Sequence, residues 1–96
     1  MKESRIERHL VQQANKYGFL CWKFLPFQLI GVPDRILIGH GHTVFVETKK
    51  PGELLRKIQK ERHRQIKNHG GTVFVVDRSE AIDKMLRKLI INSKTR

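Results

Sequence analysis

Several features are scarce in this 96-residue chain, and each scarcity excludes a class of protein. A single cysteine, Cys21, excludes an intrachain disulfide, so packing has to stabilise the fold. No apolar run approaches the roughly 18 residues that a membrane-spanning helix needs. The first residues, Met-Lys-Glu-Ser-Arg, lack the apolar core of a signal peptide. We therefore expect a cytoplasmic protein with no membrane partner.

Acidic residues are also scarce. Nine Asp and Glu stand against twenty Lys and Arg, which gives a formal net charge of +11. Such an excess creates a positive field that attracts polyanions and repels other copies of the chain. Nucleic acid is the most common partner of a small basic protein, and an anionic membrane surface is the competing interpretation.

What is present is the pattern of one α/β domain over residues 1–96, with a polar, frayed tail over residues 92–96. Apolar periodicity and turn residues predict the order α-β-β-β-α-β-α, a mixed sheet flanked by helices. The predicted helices cover residues 3–17, 53–69 and 79–91, and the predicted strands cover 19–27, 32–38, 43–49 and 72–76.

Three charged residues in two neighbouring strands form the candidate site. Side chains alternate along a strand, so Glu47 and Lys49 share one face. If His40 and Gly41 form a two-residue hairpin turn, counting outward places Asp34 opposite Glu47. Side chains paired in this way have Cβ atoms about 4.5 to 5.5 Å apart. The pattern therefore predicts two carboxylates and an ammonium group in one place.

Facing carboxylates repel each other, and a divalent cation relieves that repulsion. Mg²⁺ and Mn²⁺ take oxygen ligands and often need only one or two carboxylates together with water and a substrate phosphate. Asp34, Glu47 and Lys49 are then candidates for metal-assisted phosphodiester hydrolysis. An ordinary salt-bridge cluster on a surface hairpin is the alternative, and spacing alone leaves both open.

Longer segments resemble a known family. The segments are 31–35 (GVPDR), 45–52 (FVETKKPG) and 71–76 (GTVFVV), together with Gln59. They are similar to the VRR-NUC domain of the PD-(D/E)XK nuclease superfamily, and the resemblance extends from Glu3 to about Leu89. It implies a restriction-endonuclease-like fold and a Mg²⁺- or Mn²⁺-dependent endonuclease.

The resemblance also implies roles for individual residues. Asp34, Glu47 and the backbone carbonyl of Thr48 match the metal ligands, with Glu7 of the first helix as a further candidate. Lys49 matches the motif lysine and Gln59 a catalytic helix glutamine. Related nucleases often carry an aromatic residue four positions after that glutamine, where this chain has His63.

Stand-alone members of this length are similar to phage-encoded proteins that act as homodimers on branched DNA. The resemblance therefore implies a homodimer that cuts four-way or flap DNA in the cytoplasm of a host cell. A catalytically silent DNA-binding module and a nuclease acting on linear duplex DNA are the alternatives.

The second predicted helix carries an excess of positive charge without the alternating signs of an ordinary solvated face. We expect its cations to bind DNA phosphates: Arg56, Lys57, Lys60, Arg62, Arg64 and Lys67. The five histidines lack zinc-ligand spacing, so we expect them to be solvated or to touch phosphate. Arg35 should face away from Asp34 and is interpreted as structural.

Overall fold

A computed structural model of the chain describes residues 3–94 and confirms the α/β prediction, including the order of the elements. The elements are α1 (Glu3–Lys16), β1 (Leu20–Lys23), β2 (Arg35–Gly39), β3 (His42–Thr48), α2 (Lys57–Asn68), β4 (Val73–Val76) and α3 (Ser79–Ile91). Within the described residues, no helix combines the length and the apolar character that crossing a bilayer requires.

The four strands form one mixed sheet in the order β1-β2-β3-β4. The first three are antiparallel neighbours, and β4 runs parallel to β3. His40 and Gly41 both have positive φ angles, 52° and 79°, which is the requirement of a two-residue type I′ turn. The turn fixes the register of the hairpin as predicted, with Gly39 opposite His42 and Ile38 opposite Thr43.

The hydrophobic core lies between one face of the sheet and the helices α1 and α3. Alternate strand residues point into it, and the two helices contribute apolar residues at helical spacing. Its fully buried members include Leu37, Val46, Ile6, Leu10 and Ile82.

Cys21 lies at the edge of this core, and burial raises the pKa of its thiol. A raised pKa keeps the thiol protonated at neutral pH and therefore poorly nucleophilic. Cys21 is therefore a packing residue of the core.

Helix α2 lies on the side of the sheet that carries Glu47. Its buried residues are polar, Gln59 and His63, and they are four positions apart on one helical face. Leu54, which the predicted range 53–69 places in this helix, precedes it and is 83% exposed.

The predicted start of α2 at residue 53 was wrong. Residues Pro51 and Gly52 form a turn, and Glu53 closes it by donating its backbone N–H to the carbonyl of Lys50. The helix begins at Lys57, where the Gln59 side-chain oxygen accepts the backbone N–H of Arg56 at 2.8 Å. This capping bond satisfies one of the free donors at a helix N-terminus and so fixes the start.

The predicted strands around residue 30 are shorter in the structure. β1 ends at Lys23 and β2 begins at Arg35, so residues 24–34 form a long β1–β2 loop. Pro26 and Pro33 cannot donate to a strand ladder, and Gln28 and Gly31 adopt positive φ angles.

The end of the chain returns to the hairpin turn. Lys94 N–H and Ser93 Oγ donate to the carbonyl of His40 at 2.9 and 3.2 Å, and His42 Nε2 donates to the carbonyl of Asn92. Residues 92–94, which the sequence placed in a frayed tail, therefore have defined contacts. Residues 95–96 of that tail lie outside the described part of the chain.

Candidate active site

Glu47 and Lys49 lie at the carboxyl end of β3 and are almost completely buried. Their exposed fractions are 1% and 5%. The backbone N–H of Lys49 donates to the carbonyl of Val76 at 2.9 Å, which continues the β3–β4 pairing beyond the last strand residue. This continuation keeps Lys49 on the same face as Glu47, because strand residues two positions apart share a face.

Asp34 is held against the same strand end from the β2 side. Its Oδ2 accepts two hydrogen bonds from Thr48, one from the backbone N–H at 2.8 Å and one from Oγ1 at 2.7 Å. Asp34 comes one position before the Arg35–Val46 pair, the last of the β2–β3 ladder on this side. The carboxylate therefore reaches β3 beside Glu47, as the hairpin register predicts.

His63 of α2 connects these groups. It is 4% exposed, and its Nε2–H donates to Glu47 Oε1 at 3.4 Å. Burial lowers the pKa of the His63 imidazole, and the charges of Lys67 and Lys49 lower it further, while the Asp34 carboxylate opposes the shift. The imidazole is therefore neutral at neutral pH, and both Lys49 and Asp34 lie close enough to influence it electrostatically.

The expectation that the histidines are solvated or touch phosphate was wrong for His63. The signal that could have identified it is its spacing from Gln59, since residues four apart on a helix lie side by side. Gln59 itself is 5% exposed, and its carbonyl oxygen is used to cap α2. The structure thus places Gln59 and His63 together on the helix face that covers the end of β3.

Glu7 is paired with two cations of the sheet. Its Oε2 lies 2.9 Å from Lys23 Nζ and 3.0 Å from Arg35 Nε. Burial alone would raise the pKa of Glu7, but the hydrogen bonds and charges of Lys23 and Arg35 outweigh it and lower the pKa. Arg35 also donates to the carbonyl of Cys21, in keeping with its structural interpretation.

The basic residues of α2 fall into two groups. Arg62 donates to the carbonyl of Ile30 at 2.9 Å, and Arg64 forms an ion pair with Glu61. The other predicted phosphate contacts are exposed cations: Arg56, Lys57, Lys60 and Lys67. This second group is available to a polyanion.

The candidate metal ligands at the end of β3 all offer oxygen atoms. Among residues 3–94, no cluster of three or more His, Cys, Asp and Glu side chains is arranged to hold a metal ion. A fully protein-ligated zinc or calcium site would require such a cluster. Two carboxylates and a backbone carbonyl instead suit a hard ion that keeps water and substrate oxygens in its coordination shell.

A comparison with known proteins gives one curated relative. The chain is 37% identical over 78 residues to a protein of Acyrthosiphon pisum secondary endosymbiont phage 1 named "Putative nuclease p44". The aligned region covers 80% of this chain and 84% of the phage protein. No family model matches the sequence.

Proposed function

Since the chain belongs to the family of the phage protein p44, we propose that it is a nuclease that hydrolyses DNA phosphodiester bonds with Mg²⁺ or Mn²⁺. The observation that carries the proposal is the burial of Glu47 and Lys49 beside the loop that holds Asp34. Charged side chains are seldom buried to this extent, and acidic and basic groups buried together at one strand end are typical of an active site. A surface salt-bridge cluster would leave them exposed.

The residues present fit a hard divalent ion. Asp34, Glu47 and the backbone carbonyl of Thr48 would hold it, and all three offer oxygen. The hydrogen bonds from Thr48 engage Oδ2 of Asp34 and do not use its Oδ1. The ion would supply a water of lowered pKa and would neutralise charge on the scissile phosphate.

The side chains of the chain have separate tasks in this proposal. Thr48 holds the Asp34 carboxylate in place with its two donors. His63, neutral and buried, orients the Glu47 carboxylate without adding a charge. The Lys49 ammonium stabilises the negative charge that develops on the phosphate during attack. The negative charge of Glu7 is already neutralised by Lys23 and Arg35, so Glu7 has a structural role in this proposal.

The resemblance to the VRR-NUC domain supports a more specific proposal about the enzyme class, the oligomeric state and the substrate. It favours a PD-(D/E)XK endonuclease that acts as a homodimer on branched DNA, such as four-way or flap substrates. The exposed cations of α2 support contact with DNA phosphates close to the site.

Cleavage by purified variants tests the proposal. Labelled four-way, flap and linear duplex DNA would be incubated with Mg²⁺, Mn²⁺ or a chelator. We expect metal-dependent cleavage by the wild type, fastest on the branched substrates. Asp34→Asn and Lys49→Met should each lower the cleavage rate by at least about a hundredfold, because each removes a group that acts in the transition state.

Lys50→Met is the matched control, because Lys50 is the exposed neighbour of Lys49 and should leave the rate nearly unchanged. A thermal-shift titration adds a readout that needs no turnover. Mn²⁺ should stabilise the wild type more than Asp34→Asn. Undiminished cleavage by either site variant would refute the mechanism, and salt-sensitive binding without turnover would identify a silent DNA-binding module.

A further inference from the structure

The β1–β2 loop, residues 24–34, carries large apolar side chains on its surface. Leu25, Phe27 and Ile30 are 81%, 89% and 71% exposed. Exposed apolar groups that are clustered, rather than scattered singly, mark binding surfaces on folded proteins. Their presence in a chain with a net charge of +11 calls for a partner that offers apolar surface as well as negative charge.

The loop is anchored on both sides. The Phe24 N–H donates to the Asp34 carbonyl at 2.8 Å, and the Phe24 ring lies 5.3 Å from that of Phe45. On the other side, Arg62 donates to the carbonyl of Ile30 at 2.9 Å. These contacts fix the loop between the sheet and α2, so the backbone that carries the exposed side chains is held in place.

Gly31 brings the loop close to α2. Its φ is 84°, and a Cβ atom at this position would lie 2.7 Å from Ile58 Cγ1. Only glycine allows both this backbone conformation and this approach. The close contact closes one side of a cavity between the loop and the start of α2.

This cavity has a volume of about 400 Å³ and reaches the proposed active site. Leu25, Leu29 and Ile58 give it an apolar wall, and Arg56 adds a cation, whereas the Lys23 ammonium at its edge is paired with Glu7. Asp34 also lines it. The volume lies near the lower end of the range for small-molecule sites.

We propose that the cavity binds an unstacked nucleobase next to the scissile phosphate, an inference that rests on the proposed nuclease function. A base offers a flat apolar face to the leucine and isoleucine side chains, and a flanking phosphate offers charge to Arg56. The contribution of Asp34 to the lining places that nucleotide beside the reacting group.

A base-binding cavity gives a physical reason for a preference for DNA with unpaired nucleotides. A base inside an intact duplex enters a cavity only after it is unpaired and unstacked, at a cost in free energy, whereas a base in a single-stranded flap is already free. The nuclease should therefore prefer DNA with an unpaired nucleotide next to the cleavage position. A second copy of the chain is the competing occupant of the apolar surface, but the Arg56 cation and the Asp34 carboxylate in the cavity lining favour a nucleotide.

Removal of the base tests the inference. Flap DNA would be prepared with an abasic residue at each of the two nucleotides flanking the mapped cleavage position, and cleavage would be compared with that of intact DNA. At one of the two positions, we expect the abasic residue to lower kcat/KM for the wild type by about tenfold, as the loss of one base contact does.

The variant Leu25→Ser/Leu29→Ser should lose about the same factor on intact DNA and should cleave the abasic substrate as the wild type does. The matched control is Leu54→Ser, which alters an exposed leucine outside the cavity lining. Equal losses for the Leu25→Ser/Leu29→Ser variant on both substrates, or no effect of the abasic residue at either position, would overturn the inference.

A binding measurement separates this inference from the nuclease proposal. A single-stranded oligonucleotide containing 2-aminopurine would be titrated with protein in chelator, where no cleavage occurs. A fluorescence change that the Leu25→Ser/Leu29→Ser variant loses and Leu54→Ser keeps supports the base site even if the wild type cuts no DNA. If the double variant only converts a dimer to a monomer in light scattering and binds the oligonucleotide unchanged, the surface belongs to a second copy and the base site is refuted.

Discussion

At the scale of single residues, the candidate site combines three groups that strand geometry locates with one, His63, that helical spacing places beside Gln59 without predicting its burial. Asp34, Glu47 and Lys49 follow from strand alternation and a two-residue turn, because both rules convert sequence distance directly into side-chain position. The burial of His63 does not follow from such a rule. It depends on how α2 is placed over β3, which is a tertiary relation between elements about ten residues apart.

The role of His63 can be tested by a substitution that keeps an aromatic ring but removes its nitrogen atoms. His63→Phe removes the N–H that orients Glu47, and loss of such a supporting hydrogen bond typically costs 10- to 100-fold in metal affinity or activity. We therefore expect the Mn²⁺ concentration for half-maximal cleavage to rise about tenfold or more. His63→Gln, which can place an amide N–H near the same position, should restore part of the loss.

His9→Phe provides the control, since His9 contacts Asp83 on the far side of the sheet. Its Mn²⁺ dependence should match that of the wild type. If His63→Phe lowers only the melting temperature and keeps the wild-type Mn²⁺ dependence, His63 is a packing residue and does not position Glu47.

At the scale of elements, prediction succeeded where the sequence carries strong local signals. Helix α3 begins and ends where its apolar spacing predicts, and the β2–β3 hairpin has the predicted register. The start of α2 was misplaced because Leu54 and Leu55 continue the helical spacing backward, although a turn at Pro51 and Gly52 occupies the preceding backbone. The β1–β2 loop was misread for a similar reason, since its apolar residues are typical of a strand but face solvent.

The ion pairs of Glu7 connect α1 to the first two strands and predict how stability depends on pH. The folded-state pKa of Glu7 is lowered from its ordinary value of 4.5. A carboxyl group of this kind stabilises the fold above its unfolded-state pKa, and the stabilisation disappears as the pH falls through the folded-state pKa.

Glu7→Gln should therefore lower the free energy of unfolding at pH 7, by on the order of 1 kcal/mol for a partly exposed pair. Urea denaturation of both proteins between pH 7 and pH 3 measures the difference. We expect the difference in unfolding free energy between the wild type and Glu7→Gln to be constant above about pH 5.5 and to shrink steadily below pH 4.5. A difference that persists unchanged at pH 3 would mean that Glu7 acts through packing and not through its charge.

At the scale of the whole molecule, the cations that give the net charge of +11 fall into two groups, those paired within the protein and those exposed to solvent. Arg35, Arg62 and Arg64 are committed to contacts within the protein. Lys57, Lys60 and Lys67 are exposed on α2, the helix that carries His63. Composition alone predicted a polyanion partner, but only the structure separates the cations that hold the fold from those that can meet DNA.

This separation predicts the salt dependence of DNA binding. Each phosphate contact contributes about 0.9 to the slope of log affinity against log salt for duplex DNA. The variant Lys57→Ala/Lys60→Ala/Lys67→Ala should lower that slope by up to about 3, as measured by fluorescence anisotropy in chelator at several salt concentrations. Arg64→Ala, which removes a cation already paired with Glu61, should change it much less.

A slope for the triple lysine variant equal to that of the wild type would show that DNA lies elsewhere on the protein. The Arg64→Ala control tests for a general effect of lowered charge. Such an effect would reduce the slope whenever an exposed cation is removed, regardless of its position.

The return of residues 92–94 to the hairpin turn has a practical consequence. Their hydrogen bonds to His40 and His42 hold them at the end of the β2–β3 hairpin opposite Asp34 and Glu47. A fluorescent dye coupled to the thiol of Lys94→Cys would therefore sit at the end of the hairpin opposite the proposed site. Energy transfer from such a dye to labelled DNA ends would report which arm of a branched substrate lies across the proposed site, without disturbing the chemistry there.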